Sequence, residues 1–170
     1  MKNKEFKILS FDKTIILNSI QRDNIEKIRI WKNENKNSFF YKKDISQPEQ
    51  LAWFKKYIKT ADDCIFIIKY LTETVGCIGF RKIENDIDIY NVMLGENKYK
   101  SSGIMSKSLK LLCSYLISIY GCSISAKVIK DNAALNWYLK NNFSISIEEQ
   151  DYFLITLNNK FEKVQYILEG

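Results

Sequence analysis

Residues Leu94–Gly103, LGENKYKSSG, bring Lys98, Lys100, the hydroxyls of Ser101 and Ser102, and Gly103 together just ahead of a helical pattern. First-turn amides of a helix lack intrahelical acceptors and sit at the positive end of the helix dipole, so this composition suits a phosphate. Gly103 permits close backbone approach, and the lysines add charge. The stretch lacks the GxxxxGK[ST] spacing of a P-loop, and read alone it is equally an ordinary solvated loop. The chain has no histidine, which excludes Ser-His-Asp and Cys-His nucleophiles and His-based metal sites. Cys64, Cys77, Cys113 and Cys122 lie in apolar stretches without CxxC spacing, so they read as reduced, mostly buried residues of a cytoplasmic protein, and no metal is expected.

A chain of 170 residues reads as one domain, residues 1–170, because a single core of this size buries most of its apolar surface. The net charge of +6 is spread along the chain. It fits plain solvation or attraction of polyanionic small molecules. No nucleic-acid motif accompanies it, so no nucleic-acid partner is expected. The polar Met1–Lys7 start does not resemble a signal peptide, and the apolar run near Leu109–Ile119 is too short and too polar to span a bilayer, so no membrane partner is expected either.

The elements that must position the loop follow from periodicity. Phe6–Phe11 alternates as a strand. Gln21–Lys32 is helical, with Ile25, Ile28 and Trp31 on one stripe. A polar segment carrying Phe39, Phe40 and Tyr41 leads to Ser46-Gln-Pro-Glu49, a capping box that opens a helix running to about Lys59 and burying Leu51, Phe54 and Ile58. Three strands follow, Cys64–Tyr70, Thr74–Ile83 and Ile87–Leu94, and then a helix over Gly103–Tyr120. Ser123–Ile129 is a strand, Asn132–Asn141 a short helix, Ser144–Ile147 and Tyr152–Leu157 a strand pair, and Phe161–Leu168 a candidate last strand. The order describes a mixed α/β fold with an antiparallel middle and one βαβ crossover. Regular β-α alternation, which a doubly wound dinucleotide fold requires, is absent.

Lys98-Tyr-Lys100-Ser101-Ser102-Gly103 resembles the [QR]-x-x-G-x-[GA] motif with which the GNAT acetyltransferase superfamily cradles the pyrophosphate of acetyl-CoA. Lys98 stands where Gln or Arg is usual and Ser101 where the first Gly is usual. Asp131–Phe143, DNAALNWYLKNNF, is similar to the family's N-x-x-A-x-x-x-Y-x-x-x-G-F. Ala134, Tyr138 and Phe143 match, and Asn142 replaces the Gly. Asn132 lies one residue closer to Tyr138 than the family Asn, so Asp131 occupies that register. Arg29-Ile-Trp31-Lys-Asn33 with Ala52-Trp53-Phe54 is similar to the branch that acetylates nucleotide-linked amino sugars, ribosomal proteins and polyamines. Asp151–Thr156 looks most like the amino-sugar enzymes of pseudaminic acid biosynthesis.

The resemblance implies a largely antiparallel central sheet flanked by helices, with splayed central strands forming an acetyl-CoA cleft. It implies attack of a neutral amine on the thioester. The cofactor would be held by Lys98, Lys100, Ser101, Ser102, Gly103 and Ile104, by Asp131 or Asn132, and by a carbonyl-polarising backbone amide at Met93 or Leu94. Tyr138 would protonate the leaving thiolate; by pattern alone it reads instead as a core aromatic on a short amphipathic helix. Without histidine the base is a carboxylate, acting directly or through water. Glu96 is the first choice, Asp88 the other close one and Glu73 a poorer one, and a relay with no single base stays open. Trp31, Asn33, Phe39, Phe40 and Tyr41, with Tyr90, are the acceptor-binding candidates; Trp31 also reads as core, and Trp53 is assigned there.

The expected protein is a cytoplasmic acetyl-CoA-dependent N-acetyltransferase acting on a small amine, with a nucleotide-linked amino sugar as leading acceptor and homodimerisation left open. A protein N-terminus, ribosomal protein or polyamine is the alternative acceptor, and a non-catalytic acyl-CoA-binding module is the other class. A protein acceptor predicts a wide acidic groove. A sugar nucleotide predicts a closed aromatic pocket with cations.

Overall fold

The computed structural model describes residues 5–170. Met1–Lys4, the start of the polar opening segment, lies outside the described residues. The elements are β1 (Lys7–Ser10), β2 (Ile15–Ser19), α1 (Ile25–Glu34), α2 (Gln47–Tyr57), β3 (Asp63–Tyr70), β4 (Glu73–Ile83), β5 (Asp86–Leu94), α3 (Ile104–Tyr120), β6 (Ser123–Ile129), α4 (Ala134–Lys140), β7 (Phe143–Glu148), β8 (Tyr152–Leu157) and β9 (Tyr166–Glu169). The strands form one sheet in the order β7-β8-β6-β5-β4-β3-β2-β1-β9. Every neighbouring pair is antiparallel except β5 and β6, which the α3 crossover joins in parallel. This is the mixed, largely antiparallel sheet expected from the sequence.

The Ser46–Glu49 box caps α2 as expected: Ser46 Oγ accepts from the Glu49 amide, and Glu49 accepts from the Ser46 amide at 2.8 Å. The stripe Ile25, Ile28 and Trp31 is buried. Two expectations shift. Ile15–Ser19, not anticipated as a strand, pairs with both β1 and β3. The segment Phe11–Thr14 makes its hairpin turn, with Asp12 accepting from the Thr14 amide at 3.1 Å. Phe54 is buried as expected, but Ile58 is 44% exposed, because α2 ends at Tyr57 and buries that residue in its place.

Apolar residues cover both faces of the sheet. On one face Ile87 and Ile89 of β5 join Leu109, Leu112 and Leu116 of α3. On the other, Met93 and Tyr90 of β5 pack with Ile28, Trp31 and Phe54 of α1 and α2. Trp31 is therefore core, not site. A Cβ added to Gly95 would lie 1.9 Å from its indole, so the ring has the glycine backbone as its bed.

The sheet opens between β5 and β6. Their pairing runs from Asp86↔Ser123 to Ile89↔Ala126, while β5 continues to Leu94 and β6 to Ile129. The divergence begins at a bulge in β5, where the register against β4 shifts between Cys77 and Gly79. Asn91 there takes a left-handed conformation, φ 51°, which asparagine tolerates better than most residues. A bulge bends and twists its strand, which turns the end of β5 away from β6. The Cys77 thiol holds the bulge by donating to the Asn91 carbonyl at 3.2 Å. Burial pushes that thiol's pKa up to about 12, so the donor keeps its proton.

Among the described residues no helix is long and apolar enough to cross a membrane.

Candidate functional site

The gap between β5 and β6 is the waist of a cleft of about 920 Å³ that reaches both faces of the sheet. On the α3 side it is lined by Ser101, Gly103, Ile104, Met105 and Tyr138. On the α1–α2 side it is lined by Phe39, Phe40, Tyr41, Arg81, Asp88 and Tyr90. One opening therefore joins the two faces of the sheet at the waist.

The α3 side has the features of a phosphate cradle. Ser101 and Gly103 both have positive φ, 63° and 80°, with Ser102 between them. Left-handed residues alternating with ordinary ones turn successive amides toward one point, the arrangement that binds anions. Gly103 caps α3, and a Cβ built on it would meet nothing within 4 Å, so its surroundings are open. Lys100 lines the same space. The other two polar residues of the loop are engaged elsewhere. Lys98 pairs with Glu73 and does not line the cleft. Ser102 braces the turn, donating to the Tyr99 carbonyl at 2.6 Å.

Ser101 sits in a conformation that costs a non-glycine residue about 1–2 kcal/mol. Ser101→Gly removes that cost while adding about 0.5–1 kcal/mol of chain entropy to the unfolded state. The variant should therefore be as stable as the parent or more so by up to about 1.5 kcal/mol in urea unfolding, with acetyl-CoA affinity retained or raised. A clear loss of stability would show that the hydroxyl has a structural partner.

At the waist, Gly95 returns its amide to the Val75 carbonyl on β4 at 2.9 Å. By strand alternation the Leu94 amide points the opposite way, toward the opening. Leu94 lines the cleft, whereas Met93 is buried beneath α1 and does not. Of the two amides expected to polarise a carbonyl, Leu94 is the one with access.

Tyr138 faces the waist from α4. It is 6% exposed, with Trp137 and Phe143 packed edge-on at ring distances of 4.8 and 5.3 Å. Trp137 Nε1 donates to Ser106 Oγ at 2.9 Å, which pins α4 to the first turn of α3. The phenol oxygen has no protein hydrogen-bond partner among the described residues. Burial raises its pKa above the ordinary value of 10, so it stays protonated at neutral pH. This arrangement allows it to donate a proton to an atom that enters the cleft.

The α1–α2 side is roofed by the segment between those helices. Asn33, expected at the acceptor, instead fixes the base of the roof: its side chain exchanges two hydrogen bonds with the Ile45 backbone, at 2.9 and 3.0 Å, and does not line the cleft. The tip crosses to the far wall, where Phe40 packs edge-on against Tyr152 of β8 at 5.9 Å and the Ser38 carbonyl accepts from Asn132 Nδ2 at 3.2 Å. Asn132 lines the cleft but spends its amide on this contact, and Asp131 lies outside the lining.

Three cations line this half, each over an aromatic ring: Lys32 over Phe39 at 5.4 Å, Arg81 over Tyr90 at 4.9 Å and Lys127 over Tyr152 at 5.2 Å. Among the described residues the single lining carboxylate is Asp88, 6% exposed. Arg81 grips one of its oxygens, Oδ2, with Nε at 2.8 Å and Nη2 at 2.7 Å. No protein donor among the described residues reaches the other oxygen. Burial raises the pKa of Asp88, and the Arg81 charge offsets part of the rise. The Tyr90 hydroxyl donates to Asp63 behind this pair.

Glu96, the first choice of base, does not line the cleft. It forms an ion pair with Lys27 of α1 at 3.1 Å, because β5 ends at Leu94 and the chain turns toward α1. Sequence reasoning also passed over Lys32, Arg81, Lys127 and Tyr152. Asp88 and Lys127 do carry a signal, as isolated charges inside strands: Asp88 is in register with Ser125, and Lys127 lies two residues beyond Ser125, so both fall on one face. Among the described residues no group of three or more His, Cys, Asp or Glu is placed to hold a metal ion.

A phosphate cradle leading to a splayed strand pair defines a transferase cleft of the kind that holds an acyl-CoA. The sequence profile of the Acetyltransferase (GNAT) family matches residues 26–143. The chain belongs to that family and is an acyltransferase enzyme. No curated protein sequence matches it. Solved structures share the fold at low identity. RimL, a ribosomal L7/L12 alpha-N-protein acetyltransferase in complex with coenzyme A, is 19% identical with a TM-score of 0.70, over 88% of this chain and 94% of that one. The Vibrio cholerae spermidine N-acetyltransferase in complex with CoA and spermine is 14% identical with a TM-score of 0.68, over 84% and 92%. FdhC, a nucleotide-linked sugar GNAT, is 20% identical with a TM-score of 0.67, over 84% and 85%.

Proposed function

We propose that this enzyme transfers acetyl from acetyl-CoA to the amine of a nucleotide-linked amino sugar. The observation that carries the reading is the acceptor half of the cleft: a roofed, aromatic pocket with three cations and one carboxylate. Spermidine is a polycation and would meet net positive charge there. A peptide N-terminus would need an open groove, and the roof latched to Asn132 and Tyr152 narrows it. An acceptor carrying its own anions and flat rings suits both features.

The residues divide the work. The amides around Ser101–Ile104 and the Lys100 ammonium hold the CoA phosphates. The Leu94 amide stabilises negative charge developing on the thioester oxygen. Asp88 takes the proton from the acceptor's ammonium through its ungripped oxygen, and the freed nitrogen lone pair forms the new C–N bond. As the C–S bond breaks, the electron pair leaves on sulfur and Tyr138 supplies the proton to the thiolate; the second proton of the new amide nitrogen passes to water, and Tyr138 is reprotonated from water, so that one proton is released overall.

CoA release measured across an amine panel tests this. Turnover is expected with amino sugars linked to a nucleoside diphosphate, and at least 100-fold lower kcat/KM with spermidine or an N-terminal peptide, roughly the discrimination one unpaired buried charge gives. Turnover of spermidine or peptide in preference to the sugar nucleotides would overturn the acceptor assignment. Acetyl-CoA binding without turnover of any amine would favour a binding module.

A further inference from the structure

The acceptor half holds two lysines, Lys32 and Lys127, that line the cleft without an ion-pair partner among the described residues. Some cations of this chain meet carboxylates, among them Lys27 with Glu96, Arg29 with Glu26, Lys36 with Asp44, Lys98 with Glu73 and Lys130 with Glu148, and most of the others are exposed to solvent. What sets Lys32 and Lys127 apart is that they line the acceptor half of the cleft. Lys32 and Lys127 make no ion pair within 4 Å among the described residues. Lys127 is exposed at the rim of β6, with its ammonium over Tyr152. Lys32 is the stronger case. It is half-buried on the last turn of α1, its ammonium over Phe39 and near the fully buried Cys77. Burial lowers its pKa, the mark of a cation held in surroundings that do not compensate it. A methionine would fill that space without the desolvation cost.

The two ammonium groups come from opposite walls, α1 and β6. Between them the rings of Phe39, Phe40 and Tyr152 form a roof, with Phe40 against Tyr152 at 5.9 Å. Each lysine rests on the ring at its own end of that roof. The ring faces orient the ammonium groups, and neither has a carboxylate within ion-pair distance among the described residues; for Lys127 the Asp88 carboxylate is close enough to interact through charge alone.

We infer that Lys32 and Lys127 are the two cations that grip the diphosphate of the acceptor, with Lys32 dominant, and that they set specificity for an anionic acceptor. This deepens, and rests on, the reading of the acceptor as nucleotide-linked. Lys32 and Lys127 bind the acceptor equally in its ground and transition states, so they act on KM and leave the chemical step alone.

The test is calorimetry with uridine, cytidine and guanosine diphosphates in the presence of saturating CoA, which keeps the α3 phosphate cradle filled. At least one diphosphate should bind the parent enzyme. Lys32→Met should weaken it at least 10-fold and Lys127→Met about 3- to 10-fold, with acetyl-CoA affinity unchanged as the folding control. Lys32→Arg should recover part of the loss. With the sugar-nucleotide acceptor, Lys32→Met should raise KM by the same factor and leave kcat within about 3-fold. Diphosphate binding that is equal in the parent and both Met variants would overturn the inference and leave the nucleotide-linked acceptor standing. Failure of every diphosphate to bind would overturn the inference too, and the amine panel would then decide the acceptor independently.

Discussion

Tyr138→Phe is expected to lower kcat by about 10²- to 10³-fold, the range for losing a positioned general acid. Acetyl-CoA affinity should change less than about 3-fold, because the hydroxyl meets the sulfur only as charge develops on it. Stability should hold or rise slightly. The ring keeps its contacts with Trp137 and Phe143, and the deleted oxygen has no protein partner to leave stranded. The pH dependence has a definite sign. Tyr138 must be protonated to act, and burial moves its pKa above 10. The parent should therefore show no loss of kcat from this group between pH 7 and 10. Stopped-flow or steady-state CoA release and thermal melts check each arm. A kcat within 3-fold of the parent would remove Tyr138 from the chemistry and return it to the core.

How far the site could be read in advance depended on whether a residue's role is local. The α2 cap is a four-residue event, and Ser46 and Glu49 make it as their spacing requires. The phosphate loop is local too, and Gly103 and Ser101 supply the backbone turns its motif implies. Tyr138 needed a helix and one resemblance, and α4 delivers it to the waist. Glu96 was favoured by closeness in sequence to the cofactor strand, yet a strand end is a place where the chain changes direction, and Glu96 left with it to meet Lys27. Asn33 is an acceptor candidate by its place in the segment after the first helix, and Asn132 a CoA-contact candidate by its resemblance to the family motif. Both are instead used to hold the roof. The cations of the acceptor half were invisible for the opposite reason. Lys32, Arg81 and Lys127 lie on a helix, β4 and β6, far apart in sequence, and only the register of the sheet and the seat of α1 bring them to one cavity. The missed strand β2 belongs to the same class, since its partners β1 and β3 are what make it a strand.

Asp88→Asn separates a catalytic carboxylate from a structural one, because the two roles move stability in opposite directions. The folded protein raises the pKa of Asp88 above the ordinary 3.8. The linkage then has one sign. The stabilising contribution of this group is complete below the unfolded pKa, where the carboxyl is neutral in both states. It is lost as pH rises through the folded pKa, so at neutral pH the charge opposes folding. Asparagine keeps the shape and removes that cost. Arg81 would lose its partner, but its side chain is 48% exposed and water replaces the carboxylate. The melting temperature should accordingly stay or rise. Activity should fall: kcat/KM drops about 10²-fold or more when the proton acceptor is removed. The pH profile supplies a third, independent reading. In the parent, kcat/KM should climb through the raised pKa of Asp88 as well as through that of the acceptor amine. In the variant only the amine's limb should remain. If Asp88 were merely the counter-ion of Arg81, the variant would melt lower and keep its profile and its kcat/KM. The combination of a stable fold, a 10²-fold loss and a missing acid limb is one that only a proton-accepting Asp88 produces.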